Sequence, residues 1–225
     1  MSHTYEVEIK SLLGSKENSK ALLSKLKKND KNLKLFEKNK QLNHYFNVPE
    51  HVDLKSLIKL IGKTKEEAFH KIIDEGKKLS VRTREINGKK VILVIKASIG
   101  DDTSSNGVKR IEFESEVNTT LDKLDKALLK AGLSYQAKWS REREEYVSKG
   151  IHICIDKNAG YGYLAEFEKV VKDEKKLEKT KTDLLLFMKK MNVEELPQDR
   201  LERMFKHYNE NWNKYYGTEK TFIIR

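Results

Sequence analysis

Charged residues two positions apart recur along the chain: Glu6, Glu8 and Lys10; Arg82 and Arg84; Arg110, Glu112, Glu114 and Glu116; Arg141 and Arg143; Glu166 and Glu168. Successive side chains of a β-strand point to opposite faces, so each set lines one face while Val7, Ile9, Val81, Phe113 and Phe167 fall on the other. For a single strand this describes a sheet with one wet side. Repeated five times, and built from carboxylates and guanidiniums rather than Ser, Thr or Gln, it implies more. So many ions are prohibitively costly to bury unless they bind each other, water, a metal or an anionic ligand. The pattern predicts a hydrated cavity for a metal-bound polyanion.

The elements that must position these residues follow from periodicity. Strand-like alternation appears at 5–12, 44–48, 79–85, 89–98, 108–117, 140–147, 151–156 and 163–171. Helical spacing appears at roughly 16–28, 53–77, 120–131, 173–191 and 198–215, the last entered through Pro197. Its stripe of Leu201, Met204, Phe205 and Tyr208 suits docking on the sheet. Asn87-Gly88 reads as a two-residue hairpin turn that sets the Arg84 strand beside the Lys96 strand. The expected fold is α+β: a mostly antiparallel eight-stranded sheet that, if it closes, turns its charged face into a lumen, with helices outside. We expect one domain over 1–225. It carries a helical insertion at about 49–78, either a packing helix, a lid or a partner surface, and C-terminal helices at about 173–216.

Among 225 residues, 46 Lys and Arg stand against 35 Asp and Glu, a net charge of +11 that favours an anionic partner. No run approaches the roughly 18 apolar residues of a membrane span, and the first residues lack a signal peptide's apolar core. The expectation is a soluble, cytoplasmic protein with no membrane association, monomeric or homodimeric. The single Cys154 reads as a buried packing residue. The six histidines show no HxH or HExxH spacing, and there is no phosphate-binding GxxxxGK[ST] loop.

Taken in order, the motifs resemble the CYTH superfamily, the triphosphate tunnel metalloenzymes that include class IV adenylyl cyclases, thiamine triphosphatases and inorganic tripolyphosphatases. Glu6-Val7-Glu8-Ile9-Lys10 resembles its ExExK signature, Asn43-His44-Tyr45-Phe46-Asn47 its D-x-Y-F-D strand, and Val81-Arg82-Thr83-Arg84 its L-R-x-R strand. Val94-Ile95-Lys96, Arg110-Ile111-Glu112, and Arg141-Glu142-Arg143 with Tyr146 resemble the strands that follow. Asp156 and the run Gly160 to Glu168 resemble the family's ending, so the likeness covers about residues 4–172. Asn43 and Asn47 stand where the family carries aspartates, and Arg141 where lysine is common.

The resemblance implies a closed antiparallel eight-stranded barrel whose lumen holds a triphosphate. Lys10, Arg82, Arg84, Lys96, Arg110, Arg141 and Arg143 are suited to its oxygens, with Lys10, Arg84, Lys96 and Arg143 as catalytic candidates. Mg²⁺ or Mn²⁺ would take carboxylates. Glu6, Glu8, Glu166 and Glu168 are the first candidates, and Glu112, Glu114 and Asp156 the second, although neutralising neighbouring arginines explains the second set equally well. The equipment serves metal-dependent hydrolysis of a triphosphate, class IV cyclisation of ATP to cyclic AMP and pyrophosphate, or triphosphate binding without turnover, including the 5′ end of a triphosphate-ended RNA. The paired Glu166 and Glu168 favour hydrolysis; the opening YEVEIK and the length are similar to the cyclase branch.

Overall fold

The computed structural model describes residues 5–50, 52–98 and 110–224, with the side chains of Lys77, Ser98, Arg110, Ile111 and Glu174 outside that description. The chain runs β1 (Tyr5–Gly14), α1 (Lys16–Asn29), β2 (Lys34–Asn47), 3-10 turns at Leu54–Leu60 and Lys63–Lys65, and α2 (Glu66–Glu75). It continues through β3 (Lys77–Ile86), β4 (Lys90–Ser98), β5 (Arg110–Glu116), α3 (Leu121–Lys130), β6 (Ser134–Ser148), β7 (Ile151–Asn158) and β8 (Gly162–Val171). A 3-10 turn at Glu174–Lys176, α4 (Leu177–Lys190) and α5 (Gln198–Tyr215) complete it. The eight strands form an antiparallel sheet in the order β1-β8-β7-β6-β2-β3-β4-β5, and with the helices they give the α+β class expected.

Contacts divide the chain into two compact units, one comprising the chain up to Asn39 and from Arg141 onward, the other most of the stretch between Lys40 and Ser140. In the first, β1, β8 and β7 pair antiparallel, and so do β7 and the second half of β6. Their inward apolar residues Val7, Ile9, Ile153 and Phe167 pack with Leu22 and Leu26 of α1 and Leu184 and Met188 of α4. Ser15 caps α1 by accepting from the Asn18 amide, which satisfies one orphan donor of the first turn. The backbone amide of Leu196 donates to the Lys10 carbonyl at 2.7 Å, tying the α4–α5 connection to β1.

The stripe on α5 docks as expected, with Leu201, Met204 and Tyr208 buried, while Phe205 stays 40% exposed and sets its ring edge-on to Tyr161. Tyr208 closes on Gly160, whose φ is +82° and where a Cβ would come within 2.7 Å of the ring. Only glycine meets both conditions.

In the second unit β2, β3, β4 and β5 pair antiparallel in sequence order. Asn87 and Gly88 both adopt positive φ, 54° and 66°, as the predicted two-residue hairpin requires. Val81, Leu93, Ile95 and Phe113 face Phe69 and Ile72 of α2 and Leu124 and Leu128 of α3. The insertion is helical as expected, but its first half is a 3-10 turn. It buries Leu54, Leu57, Phe69 and Ile72 in this core, which makes it a packing element. Fully burying side chains of this size stabilises by about 1.5–3 kcal/mol each.

Strands β2 and β6 are longer than the expected 44–48 and 140–147. The extra segment Lys34–Gln41 reads KLFEKNKQ and is mostly exposed, so no apolar alternation marks it. Of the expected fifth strand, residues 108 and 109 lie outside the described residues.

Candidate functional site

In the first unit the ladders fix which charged residues are neighbours. Glu8 lies opposite Glu168 and Lys10 opposite Glu166 in the β1–β8 pair, so all four share one face, with Glu6 exposed further along the same side of β1. His152 lies opposite Glu168, and Cys154 opposite Glu166. On β6, Arg143 lies opposite Asp156. Asp156 has no exposed side-chain surface and takes Arg143 Nε on Oδ1 at 2.8 Å, with Arg143 Nη2 at 2.7 Å and Arg141 Nη1 at 2.9 Å both on Oδ2. Arg143 also holds Glu166, and Lys10 holds Glu8.

Electrostatics follow from this packing. Burial pushes Glu166 toward its neutral form, but Arg143, then Lys10 and Arg141, more than offset it and hold the carboxyl well below the usual carboxylate range. Arg143 is driven the other way: burial disfavours its charge, and Glu166 and Asp156 outweigh burial, leaving its pKa well above the ordinary arginine value. Cys154 is buried as expected, on the charged face rather than in the apolar core. Burial pushes its thiol up strongly, Arg143 only partly opposing, which makes it a poor nucleophile.

In the second unit Arg84 donates from Nε to Asn43 Oδ1 at 3.0 Å and from Nη1 to Glu114 at 3.1 Å. Arg82 donates to the Tyr45 hydroxyl at 2.9 Å, lies 5.6 Å from that ring's centre and approaches Glu112 at 3.7 Å. Glu112 also takes Lys96 at 2.9 Å. The buried Val94 stands directly opposite Arg82, lining the same face with hydrocarbon. Burial works against the charge of Arg82, and contact with Tyr45, then Glu112 and Glu114, outweighs it, so its pKa is raised. Arg82 Nε is buried with no protein partner, an orphan donor of the kind an anion's oxygen satisfies.

The sequence-derived residues thus fall into two charged faces, one per unit. Lys10, Arg141, Arg143, Glu6, Glu8, Asp156, Glu166 and Glu168 belong to the first, and Arg82, Arg84, Lys96, Glu112 and Glu114 to the second. Arg110 opens β5, and its side chain lies outside the described residues. In this geometry Glu112, Glu114 and Asp156, the second-rank metal candidates, neutralise lysine and arginine, and so do two of the first rank, Glu166 with Arg143 and Glu8 with Lys10, which leaves Glu166 the less suited to a metal. Asn43, whose neutral amide replaces a family aspartate, is the acceptor for Arg84; Asn47 instead bonds Ser134 and the Tyr135 carbonyl.

Sequence reading missed two groups. His152 Nδ1 donates at 2.7 Å to Glu145 on the first face, and Asp125 gathers His44, Thr83 and Tyr135 beneath the second. Neither has a motif; the hydrophobic register of α3, which places Asp125 among Leu121, Leu124 and Leu128, was the available signal.

Among the described residues no three His, Cys, Asp or Glu side chains converge as a complete metal site. The donor chemistry nevertheless suits a hard cation. Glu8 and Glu168 are facing carboxylates, oxygen ligands of the type Mg²⁺ and Mn²⁺ prefer, with Glu6 next on that side.

In each unit the strands of this antiparallel α+β sheet alternate cations and carboxylates on one face, donors and acceptors of the kind that suit phosphate oxygens and hard cations. The CYTH domain family matches residues 63–200, more than half of the chain, and the chain belongs to that family. Solved structures share the fold. The PH1819 protein of Pyrococcus horikoshii is 24% identical with a TM-score of 0.60, covering 90% of this chain and 99% of that one. A Vibrio parahaemolyticus protein described as a "putative adenylate cyclase" is 15% identical with a TM-score of 0.59, covering 91% and 99%. The PH1012 protein of Pyrococcus horikoshii is 16% identical with a TM-score of 0.59, covering 86% and 92%. No curated protein matches the sequence. Among the described residues no helix is long and apolar enough to cross a membrane.

Proposed function

We propose that the chain is a divalent-metal-dependent enzyme that hydrolyses a triphosphate, inorganic or organic. The observation that carries this reading is the facing pair Glu8 and Glu168 beside Lys10 and Glu166: two carboxylates for a cation, adjacent to a cation for phosphate, on one face. Each unit's face offers cations suited to phosphate oxygens, Arg143 and Lys10 in the first and Arg82, Arg84 and Lys96 in the second. Arg141 is assigned beside Arg143. Each described cation already holds a carboxylate or amide, so the anion exchanges one set of charge-assisted bonds for another, and the enzyme meets the substrate with its donors oriented. Glu6, Glu8 and Glu168 are assigned to Mg²⁺ or Mn²⁺, which supplies charge neutralisation and an activated water. Arginines that remain ionised at every working pH then offset charge building on the transferring oxygens.

The cyclase reading is the alternative, and the description of the Vibrio parahaemolyticus protein brings it to this chain. Retention of carboxylates at both Glu166 and Glu168 favours the hydrolase. The experiment is a panel of tripolyphosphate, ATP, thiamine triphosphate and triphosphate-ended RNA, each with Mg²⁺ and with Mn²⁺, followed by phosphorus NMR. Hydrolysis yields orthophosphate and pyrophosphate from tripolyphosphate. Cyclic AMP and pyrophosphate from ATP, with tripolyphosphate acting only as inhibitor, would replace the hydrolase by the cyclase. Tight binding with no product from any member would leave a binding protein.

A further inference from the structure

Asp125 stands on α3, only 2% exposed, and is held by three side chains: Thr83 Oγ1 donates to Oδ1 at 2.7 Å, the Tyr135 hydroxyl to Oδ2 at 2.7 Å, and His44 Nδ1 meets Oδ2 at 2.6 Å. We infer that Asp125 is a positioning residue, which aims Arg82 and Arg84 at an anion by gripping their strand, β3, and its neighbour β2 from the opposite side. The inference rests on the reading that these arginines take phosphate oxygens.

The register carries the argument. Thr83 lies between Arg82 and Arg84, and His44 between Asn43 and Tyr45; in the β2–β3 ladder His44 pairs with Thr83, Asn43 with Arg84 and Tyr45 with Arg82. Because alternate side chains point to opposite faces, a hold on residues 44 and 83 from beneath fixes both strands' rotation and register, and so aims the four residues above. Those four are the ones in mutual contact, Arg84 with Asn43 and Arg82 with Tyr45.

An apolar residue at position 125 would fill the space without desolvating a charge, which is how the rest of the α3 inner face is built. A carboxylate with three partners instead permits one geometry. It is also kept ionised: burial pushes its pKa up, and the bonds from His44, Thr83 and Tyr135 outweigh burial and bring it below the ordinary value.

The test compares Asp125→Asn, Thr83→Val and Tyr135→Phe with Leu128→Ala, a buried α3 residue outside this network that serves as a purely structural control. Two readouts are taken on folded protein: calorimetric affinity for tripolyphosphate, and the NMR signals of the Arg82 and Arg84 Nε–H groups. Misaimed arginines should weaken affinity roughly ten- to a hundredfold, and shift both signals, with Thr83→Ser restoring them. Leu128→Ala should lower stability while leaving affinity and signals as in the wild type. Wild-type affinity and signals in Thr83→Val and Tyr135→Phe, or losses in Leu128→Ala as large as theirs, would overturn the inference. Tyr135→Phe removes one bond only and keeps the test open if Asp125→Asn does not fold. Failure of the wild type to bind any triphosphate would refute the functional reading instead, and the arginine signals would still decide the positioning role.

Discussion

Arg143 and Asp156 face each other across the β6–β7 ladder and are joined by two parallel bonds, Nε to Oδ1 and Nη2 to Oδ2, with the carboxylate fully enclosed. Removing one partner of such a pair strands the other charge in a low-dielectric site. Asp156→Ala should therefore cost about 3–5 kcal/mol, read as a lowered denaturant midpoint at neutral pH. Arg84→Ala offers the contrast. Its charged partner Glu114 is 42% exposed and can be rehydrated, and its buried partner Asn43 is a neutral amide, so the change should cost less, about 1–3 kcal/mol. Equal destabilisation by the two would mean that the faces are not built as described.

Acid stability should depend on Glu166. Its folded pKa is depressed, so at equal pH the unfolded chain binds more protons, and stability rises with pH through the carboxylate range. The contribution is complete above the unfolded value of about 4.3, and is lost as pH falls toward the folded one. Urea midpoints measured from pH 6 downward should fall steeply for the wild type. Glu166→Gln cannot titrate and should fall less steeply; parallel curves would remove Glu166 from the acid limb.

Asn43 predicts a change in anion affinity. It accepts from Arg84 through a neutral amide, so of the two partners described for that guanidinium only Glu114 is charged. Asn43→Asp would keep the bond and add a buried negative charge beside the same guanidinium. Triphosphate affinity should drop on the order of tenfold, about 1.4 kcal/mol, while thermal stability stays the same or rises. Unchanged affinity would show that Arg84 does not reach the ligand.

How much of this was legible in the sequence depended on periodicity. The i, i+2 charges identified which side of β1, β3, β6 and β8 carries the ions, because strand alternation is rigid. The partners were not legible: that Asp156 serves Arg141 and Arg143 together, or that Glu112 is shared by Arg82 and Lys96, depends on the register between neighbouring strands, which the charge spacing along one strand does not give. The spacing marks Lys10 and Arg84 as suited to phosphate, but not that each is matched with a particular carboxylate, Glu8 and Glu114. Asp125 differs again: the register of α3 puts it on the buried face with Leu121, Leu124 and Leu128, but its partners Thr83, His44 and Tyr135 come from the strands and leave no mark on the helix.

The two-faced construction of the strands makes opposite predictions for adjacent residues. Ile9 is 2% exposed in the first core and Phe113 3% exposed in the second, whereas Lys10 and Lys96 lie on the charged faces of β1 and β4, joined to Glu8 and Glu112. Ile9→Ala and Phe113→Ala should cost about 2–5 kcal/mol of stability, and leave triphosphate affinity unchanged in the fraction that remains folded. Lys10→Ala and Lys96→Ala should do the reverse. Each loses a charge-assisted bond to phosphate worth about 1.5–3 kcal/mol, roughly tenfold to more than a hundredfold in affinity, while their carboxylate partners are open enough to water to keep the folding midpoint close to wild type. Calorimetric titration with tripolyphosphate beside a urea melt of each variant separates the outcomes. Loss of affinity in Ile9→Ala with none in Lys10→Ala would place the ligand on the wrong side of the sheet and end the proposed function.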